Sequence, residues 1–139
     1  MKHTQSTGIS VDAPLCVVQS NQVSHTGVDA LRVSGSGAMV MKNVLKHAGQ
    51  DGVSTDADVA LFQKNKVSKT GDDGFDVTGK NTLFRKNSAK RAGDNGFEMS
   101  GAPNTVIRNR GSASGRFDLL DDSLGGNVYD ANKFGSVGP

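Results

Sequence analysis

Apolar and polar residues alternate in short runs along this chain, and the runs return at a fixed distance. Within residues 59–81, VALFQKNKVSKTGDDGFDVTGKN, the apolar positions include Ala60, Phe62, Val67, Phe75 and Val77. A period of two is that of a strand with one buried face, and no run at helical spacing competes with it. Gly, Asn, Asp and Thr interrupt the runs at fixed points, as turns require. The pattern predicts about three short strands and three turns in each unit.

The unit is 22 residues long. Asn21, Asn43, Asn65, Asn87 and Asn109 are spaced by 22, and so are Gly27, Gly49, Gly71, Gly93 and Gly115. Two apolar columns keep the same register, Ile9–Leu31–Val53–Phe75–Phe97–Leu119 and Val18–Val40–Phe62–Phe84–Val106. The register slips by one residue near Asn132. A fixed period of this length is the mark of a stacked-repeat architecture. The fold expected is all-β, a short single-stranded right-handed parallel β-helix of about six coils, its hand following the rule for parallel crossovers. At one strand spacing per coil the rod is about 29 Å tall. The solenoid is expected over residues 8–135, with a flexible N-terminal tail at 1–7 and a C-terminal tail at 136–139.

Residues one period apart lie above one another in such a rod. Phe62 should stack on Phe84 and Phe75 on Phe97, all inside. The asparagines should sit at a sharp bend and bond the bend backbone and each other. The glycine column is expected at a turn with positive φ. Cys16 shares an inward small-residue column with Ala38, Ala60 and Thr82, which reads as a buried thiol. Val17, Met39, Leu61 and Leu83 should then point outward, extended by Met41 and Ile107. An outward apolar column is a candidate contact between copies. A slip of one residue would exchange the two faces.

Composition narrows the classes. The 139 residues favour one domain; hydrophobic residues are only 35% and Trp is absent. The 18 glycines do not recur every third residue, which excludes collagen. The single Cys16 excludes an intrachain disulfide and a cysteine zinc site. No apolar stretch reaches the ~18 residues of a membrane span. Residues 1–8 lack the apolar centre of a secretory signal, so the chain as written reads as cytoplasmic, or else as a mature or excerpted domain, and its location is left open. Sixteen Lys and Arg against 14 Asp and Glu leave a net charge of +2, which argues against a dedicated nucleic-acid binder.

The cations are nonetheless ordered. Lys42, Lys64, Lys86 and Arg108 each precede a repeat asparagine; His25, His47, Lys69 and Arg91 form a second column, with Lys46 and Lys90 alongside. Both columns are expected on a different side of the coil from the acidic turn. They could form a groove for an anionic polymer such as a polyuronate. Outward charges also block lateral aggregation of strands, which explains them without a ligand. No aromatic platform accompanies them, which disfavours single-stranded nucleic acid. His25 and His47 lie on adjacent coils, but no third metal ligand is evident, and His3 belongs to the tail.

Acidic residues gather at Asp72-Asp73-Gly74-Phe75-Asp76. Asp51 should lie below Asp73, Asp94 above Asp72, and Glu98 above Asp76. Carboxylates this close repel one another unless some are protonated or a cation is present. Calcium would suit such an oxygen-rich set. Asp before Gly is also ordinary turn chemistry, and Asp29, Asp51, Asp73 and Asn95 form a turn column with or without an ion.

The segment Asn65-Lys66-Val67-Ser68-Lys69-Thr70-Gly71-Asp72-Asp73-Gly74-Phe75 resembles the right-handed parallel β-helix repeat of pectate lyase-like proteins. The segment 127–135, NVYDANKFG, resembles the last coil of many of them. Asp72-Asp73-Gly74-Phe75-Asp76 is similar to the calcium-binding stretch of family 9 polysaccharide lyases. That resemblance implies Asp72, Asp73 and Asp76 as ligands, with Asp51 from the coil below. Glu98 stands where that family places its catalytic lysine. The function expected is therefore a non-catalytic β-helix module that self-associates and binds an anionic polysaccharide or calcium. The alternative is a calcium-assisted lyase or epimerase acting on polyuronate.

Overall fold

A computed structural model describes residues 5–139. His3 and most of the expected N-terminal tail lie outside the described residues. Eighteen strands form three parallel sheets of six, and no helix occurs among the described residues. The first sheet contains β1 (Ile9–Val11), β4 (Leu31–Val33), β7 (Val53–Thr55), β10 (Phe75–Val77), β13 (Phe97–Met99) and β16 (Leu119–Asp121). The second contains β2 (Val17–Gln19), β5 (Met39–Met41), β8 (Leu61–Gln63), β11 (Leu83–Arg85), β14 (Thr105–Ile107) and β17 (Val128–Asp130). The third contains β3 (Gln22–Thr26), β6 (Val44–Ala48), β9 (Lys66–Ser68), β12 (Ser88–Lys90), β15 (Arg110–Ser112) and β18 (Lys133–Phe134). Each coil supplies one strand to each sheet, and Phe75 pairs with Val53 below and Phe97 above. The chain is thus an all-β parallel solenoid of about six coils, as its period predicts.

The core fills the space between the three sheets. Val40, Phe62, Phe75, Phe84, Phe97 and Val106 are fully buried. Full burial of one such side chain contributes about 1.5–3 kcal/mol. The Phe62 and Phe84 rings stack at 4.9 Å, and those of Phe75 and Phe97 at 4.7 Å. The neighbouring column points out: Val17 is 60% exposed and Met39 40%. The faces are therefore as the alternation assigns them. Cys16 is half-buried at the end of the core rather than sealed within it.

Polar ladders fix all three corners. Between the second and third sheets, the Asn43 backbone N–H and side-chain Nδ2 both donate to Asn65 Oδ1, at 3.0 Å each. Asn43 Nδ2 also donates to the Val18 carbonyl below. Asn65, Asn87 and Asn109 repeat the arrangement, which ends on Asn132. Buried amides are tolerated because each is hydrogen-bonded in turn. Between the first and second sheets, Ala60 N–H donates to Thr82 Oγ1, Thr82 N–H to Asn104 Oδ1, and Asn104 N–H to Asn127 Oδ1. This second ladder escapes the sequence reading because its members differ from coil to coil.

The glycine column has a different cause from the one expected. None of Gly27, Gly49, Gly71, Gly93 and Gly115 has a positive φ. A Cβ at Gly49, Gly71, Gly93 or Gly115 would instead overlap the carbonyl oxygen of the glycine one coil below. Close approach of stacked backbones excludes a side chain there. The left-handed conformation falls on other residues: Lys42, Lys64, Lys86 and Arg108, and His25, His47, Lys69 and Arg91, all at φ of 55–59°. Each is a one-residue corner whose side chain projects from the rod.

The change of period lies in the loop 122–126, which contains Gly125 and Gly126. Phe97 still pairs 22 residues on with Leu119, whereas Arg110 pairs 23 residues on with Lys133. Residues 136–138 close the rod: Val137 bridges to Leu119, and Asp118 Oδ2 accepts the backbone N–H groups of Gly135 and Ser136.

Candidate functional site

The charges separate by face. The segments 17–26, 39–48, 61–70, 83–92 and 105–113 each run from the second sheet through the asparagine corner into the third. Together they hold 11 of the 16 Lys and Arg residues and none of the 14 Asp and Glu. The near-neutral total conceals this division. Lys42, Lys64, Lys86 and Arg108 form one exposed row at the corner.

The third sheet adds cations that the sequence reading passed over. Its two outward rows are Val44–Lys66–Ser88–Arg110 and Lys46–Ser68–Lys90–Ser112. The rows alternate, so successive coils place Lys46, Lys66, Lys90 and Arg110 on the sheet, one each. Within a row, like charges are two coils apart, which avoids the repulsion of directly opposed cations. Lys66 and Arg110 were legible as members of a 22-residue column beginning at Gln22, but only if non-charged members were admitted.

At the far edge of this sheet lies an open groove of about 460 Å³. His25, His47, Lys69 and Arg91 line it, with Thr70 and Gly71 beside them. The His25 and His47 rings stack at 4.6 Å with a 9° tilt. Burial, then the charges of Lys69, His25 and Lys46, hold the His47 imidazole below its ordinary ionisation range. Lys69 stands only three residues before Asp72, so this column borders the acidic turn rather than lying apart from it. Only the Lys42 column, at the asparagine corner, lies on the opposite edge from the acidic turn.

The acidic residues occupy the corner between the third and first sheets. The ladder there runs against the asparagine one: Asp73 N–H donates to Asp51 Oδ1 at 3.0 Å, and Asn95 N–H to Asp73 Oδ1 at 2.8 Å. Burial, together with neighbouring carboxylates, raises Asp51 to about 7 and Asp73 to about 8. Burial and the charge of Glu98 also raise Asp76. Oxygens of Asp51, Asp72 and Asp73 lie within 4.8 Å of one another, as do those of Asp73, Asp94 and Glu98. The expected six-carboxylate patch is therefore two triads sharing Asp73. Asp76 belongs to neither, because it stands farther along β10 and faces Glu98 across the strand pair.

The two triads differ as cation sites. In the upper one, Asn95 Nδ2 donates to Glu98 Oε2 at 2.8 Å and to Asp94 Oδ2 at 3.2 Å. That amide orders the two carboxylates while leaving one oxygen of each, and its own Oδ1 is buried without a hydrogen-bond partner among the described residues. The lower set offers three carboxylates with no amide among them, Asp51 and Asp73 each accepting one backbone N–H, a donor set suited to a hard cation.

A family model for the right-handed β-helix region matches residues 2–111. The chain belongs to the right-handed β-helix family. A crystal structure of the periplasmic alginate epimerase AlgG matches this β-helix with a TM-score of 0.81 at 15% identity. The match covers 92% of this chain and 36% of that one, so the β-helix described here spans about a third of the epimerase's length. At that identity the likeness is one of fold. No curated protein matches the chain by sequence.

Proposed function

We propose that this β-helix is a binding module that holds an anionic polysaccharide along the outward face of its third sheet. The observation that carries the reading is the segregation of charge, 11 cations and no carboxylate over the five segments that run from the second sheet into the third. A coil rises about 4.8 Å. The four coils from Lys42 to Arg110 therefore present cations at a regular interval to a polymer bearing one carboxylate per sugar. Long-range attraction of this kind raises the encounter rate and weakens steeply with salt. Alginate, named in the similar epimerase, is a polyuronate and is the polymer to try first.

The test is calorimetric titration of an oligomannuronate into the wild type and into Lys64→Asn/Lys86→Asn. Asn tolerates the positive φ of both corners, so the fold is kept. Two exposed charges at about 0.5–1 kcal/mol each predict roughly a tenfold loss of affinity. Equal affinity for both proteins would refute the reading.

Copies of the module associate sideways through Val17, Met39, Met41, Leu61 and Leu83, the apolar column of the second sheet. The lower triad, Asp51, Asp72 and Asp73, takes a hard cation such as calcium. Its support is the raised ionisation of Asp51 and Asp73, which a bound cation would reverse. Calcium should then raise the melting temperature of the wild type at about pH 8 and leave Asp72→Asn unchanged. A calcium response that survives in Asp72→Asn would remove the triad from the account.

A further inference from the structure

We propose that the stacked pair His25 and His47 makes the groove at the edge of the third sheet pH-responsive, so that it holds an anionic polysaccharide more tightly in mildly acidic than in mildly alkaline solution. This rests on the polysaccharide reading above. The groove's charged column has two halves. Lys69 and Arg91, in the third and fourth coils, are permanent cations. In the first two coils the same left-handed corner position is held by the imidazoles of His25 and His47, the side-chain type whose charge responds to mild acid. At alkaline pH the groove offers two cations, and on acidification it offers more along an unbroken line.

The surroundings of the pair determine when that happens. His47 faces His25 on the coil below, Lys69 on the coil above and Lys46 on its own strand. Arg91 lines the same groove one coil farther on. No carboxylate is among the groups that act on His47. Its Nδ1 is shielded from solvent and has no hydrogen-bond partner among the described residues. With rings 4.6 Å apart, two imidazolium charges repel directly. The empty groove therefore resists protonation. An anionic chain laid along it would supply the missing negative charge and favour the charged rings. By linkage, acid must then strengthen the binding of that chain to the same extent.

The experiment compares oligomannuronate affinity at about pH 5.5 and about pH 8, on either side of the imidazole range, for the wild type and for His25→Asn/His47→Asn. Asp51 and Asp73 also gain protons over this interval, and do so in both proteins. The difference between the two proteins isolates the histidines. The wild type should gain about threefold to tenfold more than the variant on acidification. Equal gains would overturn the proposal while leaving the polysaccharide reading intact. No binding at either pH would overturn both. A second readout needs no variant. NMR titration should move the His47 midpoint up when oligomannuronate is added, the reverse of the shift that its cationic neighbours impose. An unmoved midpoint in the presence of bound oligosaccharide would equally overturn the proposal.

Discussion

Asp73 accepts the backbone N–H of Asn95, one coil above, at 2.8 Å, while burial and Glu98 raise its own ionisation to about 8. The carboxyl is thus structurally useful and electrostatically costly at once. Asp51 repeats the relationship one coil lower, with its ionisation raised to about 7. In the unfolded chain both would ionise near 4. The folded state therefore holds their protons more tightly. Stability from these groups is full below about pH 4 and is lost as pH rises through 7 to 8. Thermal melts across that interval should show a falling melting temperature, and a rising one would contradict the assignment. Asp73→Asn keeps an acceptor for the Asn95 N–H and removes the charge. It should raise the melting temperature at about pH 8 and change little at about pH 5.

The asparagine ladder is a series of mutually dependent buried groups. Asn65 accepts two hydrogen bonds from Asn43 and donates to the Val40 carbonyl and to Asn87. Asn65→Ala would strand several of these partners. Each unsatisfied buried group costs about 1–3 kcal/mol, so denaturant titration should record a loss of at least about 3 kcal/mol. A loss under about 1 kcal/mol would mean that water replaces the amide.

Phe75 is fully buried, with Phe97 stacked on it. Phe75→Ala should cost about 3–5 kcal/mol, from lost transfer energy and the cavity left behind. A loss within about 1 kcal/mol would place the first sheet's faces the wrong way round.

Leu61 lies in the middle of the outward apolar column of the second sheet. Leu61→Asp should leave the circular dichroism unchanged and lower the solution mass measured by light scattering. A wild type and variant of equal mass would remove the sideways contact from the account.

Most of the architecture was legible in the sequence because a solenoid repeats its physics at a fixed interval. Phe62 above Phe84 and Asn65 above Asn87 follow from subtraction alone. The glycine column was visible too, but its cause was not. Close approach between coils depends on how two backbones nest, and spacing along one chain carries no such distance. The positive φ expected at Gly71 falls instead on Lys69. Nothing in the chemistry of a lysine announces that conformation. The basic face was half legible. Lys42 and Lys64 stand out as like residues in one column, whereas Lys66 and Arg110 alternate with Ser88 and Val44. The grouping of carboxylates was legible, but its division into two triads was not, since it turns on the Asn95 amide reaching Glu98.

The chemical-shift footprint of an oligomannuronate tests the central claim most directly, because it reports which face of the rod the polymer meets. The account predicts perturbed amides at residues 42–48, 64–70 and 86–92, along the third sheet and its two corners. A footprint centred on Asp76 and Glu98 of the first sheet, with the lysine corners unmoved, would contradict it and favour a calcium-assisted lyase or epimerase.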